Sequence, residues 1–289
     1  LDQGTRYDLK AKLDGFIQDP LSRVSVVLGN PGAGKTTFAK RWVKECYDKY
    51  LSDPKLHPLP LYIALDQAFC LNEGNAKNLL ERYFKKRIGG MDFSSEEYDA
   101  LKSEQRLVIF LDGYDEIGYE GNLYQVNNWQ HWPQAKFVIT TRPEKFGSVL
   151  TRSELSEALL NAFSPVIGYK KGELPRELIL CFIRELSDAR IEEFIQQWKV
   201  LTKSSWEVAE FKKHLQDIPG LSALTTNPII LSLVLYVLPD IVAKQASSSL
   251  TSKQWQQIEI YDFFVSKWFE CQKYKVMVKL EKSNRKLKK

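Results

Sequence analysis

Two regimes of hydrophobic patterning divide the 289 residues of the chain. The first alternates short apolar runs with amphipathic stretches. Leu9, Leu13, Phe16 and Ile17 recur at helical spacing, which predicts a short helix over residues 6–18 that stops at Asp19-Pro20. Val24, Val26, Val27 and Leu28 form a β-branched run ending at Gly29, and apolar residues on successive positions suit a strand covered on both faces. A helix is expected from about Lys35 to Tyr50, a strand over 59–65, and helices over 75–88 and 95–103 around a Gly89-Gly90 break. LVIFLD (107–112) is another buried run ending in acid, and KFVITTRP (136–143) repeats the format with a polar, basic end. Strands separated by helices predict a parallel α/β sheet, in which ligands bind just outside the carboxyl ends of the strands.

From about Thr151 the period changes. Residues 154–163, 173–186, 189–202, 206–217, 228–243 and 251–272 all favour helix, and strand-like alternation nearly vanishes. The expected organisation is therefore an α/β domain over 1–150, a helical domain over 151–250, and a helix at 251–289 that opens a further region and runs into a basic tail. The longest apolar stretch, 229–242, is preceded by Pro228 and interrupted by Pro239 and Asp240. With Pro228 as a helix start and Pro239-Asp240 as a stop, it reads as a core helix, short of the ~20 residues that cross a bilayer. The aromatic stripe Trp255, Tyr261, Phe263, Phe264, Trp268 and Phe269 reads as packing surface.

Composition changes this picture little. With 44% hydrophobic and 27% charged residues, 15 Gly and 12 Pro, the chain sits among ordinary globular proteins, which excludes collagen-like, low-complexity and disulfide-scaffold classes. The net charge of +5 is local: residues 271–289 carry eight basic residues against Glu281, which leaves residues 1–270 at −2. No nucleic-acid-binding face across the domain is warranted by that balance. Cys46, Cys70, Cys181 and Cys271 lie far apart, as do His57, His131 and His214, without zinc-ligand spacing or a disulfide framework. Sparse thiols fit a reducing, cytoplasmic setting. The chain begins at Leu1 without a secretory signal pattern, and reads as a piece of something longer.

The sharpest chemical signal is GNPGAGKT at 29–36, which matches G-x-x-x-x-G-K-[ST] between a strand and a helix. Such a match arises by accident in a chain of this length on the order of once in a hundred, so a ligand-free glycine turn is the weaker reading. Gly29, Gly32 and Gly34 permit backbone angles and a close approach that a Cβ would forbid, so successive N–H groups can curl around phosphate oxygens, and the helix adds its positive end. Lys35 supplies a point charge to the β- and γ-phosphates, the Thr36 hydroxyl can ligate Mg²⁺, and Thr37 assists on the α side. In LVIFLDGYDEI (107–117), Asp112 at a strand end resembles a Walker B carboxylate that holds Mg²⁺, and Asp115 or Glu116 is placed to polarise an attacking water. Spacing does not separate those two. In VITTRPE (138–144), Thr140, Thr141 and Arg142 lie at a strand tip, where they could face the terminal phosphate.

These three motifs in this order, followed by TTNPIILSLVLYVL (225–238) and IYDFFVSKWF (260–269), resemble a NACHT module of the STAND class of P-loop NTPases. The particular feature is Asp112-Gly113-Tyr114-Asp115-Glu116, a small residue after the metal acid and then an acidic pair. The likeness is strong to about residue 145 and looser beyond. It implies an ATP/ADP-binding, slowly hydrolysing signal-transduction switch, as in innate immune receptors and their bacterial relatives. Catalytic roles would fall to Lys35, Asp112, Asp115, Glu116 and Arg142, the last as first sensor. Nucleotide contacts would run over Gly29, Asn30, Pro31, Gly32, Ala33, Gly34, Lys35, Thr36 and Thr37, with Thr36 and Asp112 on Mg²⁺. Pro228 resembles a proline that packs beside the adenine in related switches, although Thr226 stands where they often have glycine. The resemblance further implies self-association through this module and a winged-helix region at most begun by 251–280. Competing classes are a nucleic-acid-stimulated P-loop motor, a small-molecule kinase, and a scaffold that holds nucleotide without turning it over.

Overall fold

Five strands hydrogen-bond into one sheet in which every neighbouring pair is parallel: β1 (Val24–Leu28), β2 (Leu59–Ala64), β3 (Leu107–Asp112), β4 (Ala135–Thr141) and β5 (Leu178–Phe182), in the spatial order β2-β3-β4-β1-β5. The computed structural model describes residues 7–65, 77–87, 95–147, 151–166, 175–218 and 221–247, together with 258, 261–266 and 269. It divides into two compact units, Leu1–Arg184 and Glu185–Lys289.

In the first unit helices cover both faces of the sheet, as an all-parallel sheet requires. Helix α1 (Leu9–Gln18) starts where the Asp8 side chain accepts from the Ala11 amide at 2.9 Å, and it buries Leu13 and Phe16. With α2 (Lys35–Ser52), which buries Ala39, Trp42 and Cys46, it packs over Val27, Val108, Phe110, Val138 and Cys181. The other face, carrying Val26, Ile109, Leu111, Phe137 and Ile139, is covered by α3 (Leu79–Arg87), by α4 (Ser95–Glu104), by the short α5 (Leu123–Val126) and by α6 (Arg152–Phe163). Helix α6 begins with a reciprocal cap between Thr151 and Glu154. Single 3-10 turns at Tyr114–Glu116, Trp129–His131 and Pro143–Phe146 lead out of β3, into β4 and out of β4.

The expected helix over 173–186 is corrected: residues 178–182 form β5, paired with β1 along its whole length. A run of five apolar residues is equally compatible with a buried strand, and periodicity alone does not separate the two. The open edge of β1 decides it, since an unpaired, fully buried strand edge is costly. The sheet unit accordingly extends to Arg184 and takes in residues that the pattern had placed in a helical region beginning at 151.

The second unit is helical: α7 (Asp188–Thr202), α8 (Val208–Asp217), α9 (Leu221–Leu224) and α10 (Pro228–Ser247) surround Ile195, Phe211, Leu231, Val234, Leu235, Leu238 and Ile241. Asn227 caps α10 by accepting from the amides of Ile229 and Ile230, and Pro228 takes the first helical position, where its missing N–H costs nothing. A second correction falls here. Pro239 does not stop the helix, which runs on to Ser247. Pro239 is exposed, while Leu238 and Ile241 beside it are wholly buried, so the core contacts outweigh the lost backbone bond. Phe263 and Phe264 pack on this core, with Phe264 edge-on to Tyr236, whereas Trp255 and Trp268 lie outside the described residues. Among the described residues no helix is long and apolar enough to cross a membrane.

Candidate nucleotide site

Strand order places the motifs together. Strand β4 lies between β1 and β3, so the glycine loop after β1, the acid ending β3 and Arg142 after β4 sit side by side at the carboxyl edge of the sheet. The loop is tied to β4 directly, since the Gly29 amide donates to the Thr141 carbonyl at 3.3 Å. Gly32 and Gly34 have φ of 76° and 91°, a region closed to most side chains, and Gly34 is the N-cap of α2. The first intrahelical bond runs from Phe38 N–H to the Gly34 carbonyl at 2.8 Å, which leaves the amides of Lys35, Thr36 and Thr37 without helical acceptors. That is the donor set an anion needs.

The Lys35 ammonium folds back over the loop and donates to the carbonyls of Gly29 at 2.6 Å and Asn30 at 3.3 Å. Burial lowers its pKa below the ordinary lysine value. Asp115, Asp112 and Glu144 raise it in opposition and Arg142 lowers it further, so all four groups lie within electrostatic reach of Lys35. Thr36 and Thr37 are exposed in the first turn of α2.

Asp112 is 7% exposed and held from both sides. The Thr140 hydroxyl donates to Oδ1 and the Tyr62 hydroxyl donates to Oδ2 at 2.7 Å, while Thr140 Oγ1 accepts from the Gly113 amide at 2.9 Å. Gly113, with φ of 89°, turns the chain out of β3 into the 3-10 turn that carries Asp115 and Glu116. Asp115 accepts from the Arg142 amide through Oδ1 at 3.1 Å and pairs with Arg142 Nε through Oδ2 at 2.8 Å. Glu116 is exposed.

The site thus gathers Lys35, Asp112, Asp115 and Arg142, with Thr36 and Thr37 at the helix end. Thr140 and Thr141 behave otherwise than expected. Both are buried, Thr140 facing Asp112 and Thr141 donating to the Arg142 carbonyl at 3.4 Å, because a central parallel strand has no open face. Pro228 belongs to the second unit. Tyr62 was missed by sequence reasoning; no motif marks it, and its reach to Asp112 follows from the pairing of β2 with β3. As a test of fit for magnesium, an exposed hydroxyl and a carboxylate whose oxygens each accept one hydrogen bond are hard oxygen donors, as this ion requires.

A parallel sheet whose glycine loop opens a helix, with an acid-ended strand one strand removed, defines a P-loop NTPase core that binds nucleotide. The NACHT domain family model matches residues 23–199, and the chain belongs to that family. An uncharacterized WD repeat-containing protein of Nostoc sp. is 28% identical over 262 residues, covering 83% of this chain and 16% of that protein, so the chain spans a small part of its relative. Among solved structures the chain is similar to a Walker-type ATPase of Pyrococcus abyssi (12% identity, 96% of this chain and 74% of that one, TM-score 0.44). It is also similar to the ORC2 protein of Aeropyrum pernix (11% identity, 91% and 70%, TM-score 0.48).

Proposed function

We propose that this domain is an ATP/ADP-dependent conformational switch with slow hydrolysis. The observation that carries the reading is the convergence of the Lys35 ammonium, the Asp112 and Asp115 carboxylates and the Arg142 guanidinium beside the N-terminus of α2, whose first amides have no helical acceptor. In this reading residues 29–37 cradle the phosphates, and Lys35 leaves the Gly29 and Asn30 carbonyls to meet the β- and γ-phosphates. Thr36 and Asp112 would hold a magnesium ion, which supplies neutralising charge to the same phosphates. Arg142 reports on the terminal phosphate by charge-assisted hydrogen bonds, and an acid of the Asp115-Glu116 pair orients water. Coupling requires that ATP and ADP bind two forms of the protein with different affinity. Opening in the ATP form presents surfaces for self-association. A cytoplasmic setting accompanies this reading, with Cys46 and Cys181 as buried free thiols.

The test begins by denaturing the purified chain and identifying released nucleotide by chromatography, then weighing the native protein with and without a non-hydrolysable ATP analogue. Lys35→Ala removes a charge-assisted contact of about 1.5–3 kcal/mol, so calorimetry should show ADP and ATP affinity falling roughly tenfold to more than a hundredfold. Unchanged titrations would remove the site.

A further inference from the structure

Asp115 and Glu116 are neighbours in sequence and opposites in surroundings. The Asp115 side chain is 9% exposed and spends one oxygen on the Arg142 backbone amide and the other on Arg142 Nε. The Arg142 side chain remains 43% exposed. A carboxylate that grips both the backbone amide and Nε of one arginine fixes the root of that side chain as well as its charged end. The ion pair meets the guanidinium at Nε, so the N–H groups on Nη1 and Nη2 are the donors left for a tetrahedral anion. Without the grip, a long side chain at the head of a 3-10 turn samples many rotamers, and ordering it on the ligand would cost part of the contact.

The same geometry argues against Asp115 as the group that handles water. Both of its oxygens already face Arg142 and little of the side chain is exposed, so water has less access to Asp115 than to its neighbour. Glu116, one residue on, is exposed and makes no side-chain hydrogen bond or ion pair among the described residues. We infer that Asp115 is a positioning residue for Arg142, setting the preference for triphosphate over diphosphate, and that Glu116 is the acid left to orient water. The inference rests on the nucleotide reading above and divides an acidic pair that spacing alone leaves equivalent.

The experiment measures the affinity of the intact chain for ADP and for a non-hydrolysable ATP analogue by calorimetry, in wild type, Asp115→Ala, Arg142→Ala and the double variant. Positioning predicts that Asp115→Ala reproduces Arg142→Ala. Analogue affinity drops about tenfold or more while ADP affinity stays within about twofold, and the double variant is no weaker than either single one. Asp115→Asn, which keeps the side-chain shape, gives the same pattern to a smaller degree should the alanine variant fail to fold. Without any nucleotide, the Nε resonance of Arg142 in ¹⁵N NMR shifts on Asp115→Ala, as loss of the paired carboxylate requires, and does not shift on Glu116→Gln. Glu116→Gln keeps both affinities and slows turnover. If Asp115→Ala retains the wild-type ratio of analogue to ADP affinity while turnover collapses, Asp115 handles the water and the inference is wrong. Failure of the nucleotide reading itself has a separate signature, namely Lys35→Ala binding ADP as tightly as wild type.

Discussion

At the scale of single residues, the site depends on a few backbone conformations that side chains then exploit. Gly113 is the plainest case. Its φ of 89° lets β3 end in Asp112 and still place Asp115, three residues later, against Arg142. A Cβ there would meet Glu116 Cδ at 3.5 Å, an ordinary contact, so a substitution suffers from backbone strain and not from collision. Gly113→Ala should therefore lower stability by about 1–2 kcal/mol, read as a fall in the urea midpoint with an unchanged slope. Because the strain can be relieved only by rotating the turn, the Asp115–Arg142 pair should loosen with it, and preference for the ATP analogue over ADP should shrink. Wild-type stability would show that the positive φ is not required. The residue identities of this site were largely legible in the sequence: Lys35, Thr36, Asp112 and Arg142 come from motif and strand position alone. What the sequence withheld is which groups pair. The grip of Asp115 on Arg142, and the Tyr62 hydroxyl on Asp112, join residues 27 and 50 positions apart, and follow from strand order that no local pattern encodes.

At the scale of elements, local pattern succeeds where period and flanks agree and fails where they conflict. The strand of residues 24–28 and the helix from Lys35 are bounded by the glycine loop, and both form as expected. For residues 178–182 the apolar run matches its helical neighbours in pattern, while the deciding partner, the edge of β1, lies 154 residues upstream. Pro175 just before that run was the available flanking signal. Pro239 failed in the opposite direction, since a strong local stop was overridden by packing. That override has a measurable cost. Proline removes the N–H that would bond to the Leu235 carbonyl, and its ring crowds that turn. With Pro239 exposed, replacement by alanine loses little buried surface. Pro239→Ala is expected to stabilise the helical unit by about 1–3 kcal/mol, seen as a higher thermal midpoint for that unit in calorimetry. A lower midpoint would mean that the proline sustains a bend the helical core needs.

At the scale of the whole molecule, the division at Arg184 carries a sharper consequence than the position of any one residue. A cut at residue 150, where the periodicity changes, removes α6 and β5 from the first unit. Leu159, Leu160, Phe163, Leu178, Leu180 and Cys181 are all nearly or wholly buried there. At roughly 2 kcal/mol for each such side chain, their loss amounts to on the order of 10 kcal/mol, comparable with the whole stability of a domain. The damage also reaches the nucleotide loop. β5 pairs with all five residues of β1, the Ile183 amide donates to the Leu28 carbonyl at 2.7 Å, and the Ile183 side chain lies 3.3 Å from the space a Cβ on Gly29 would fill. Fragment 1–184 should unfold in a single cooperative transition and bind ADP, whereas fragment 1–150 should show neither behaviour. Circular dichroism melts, limited proteolysis and ADP titration of the two fragments decide the matter. A fragment 1–150 that melts cooperatively and holds ADP would mean that β5 decorates the sheet without supporting the loop, and that the first strand tolerates an open edge beside its own ligand.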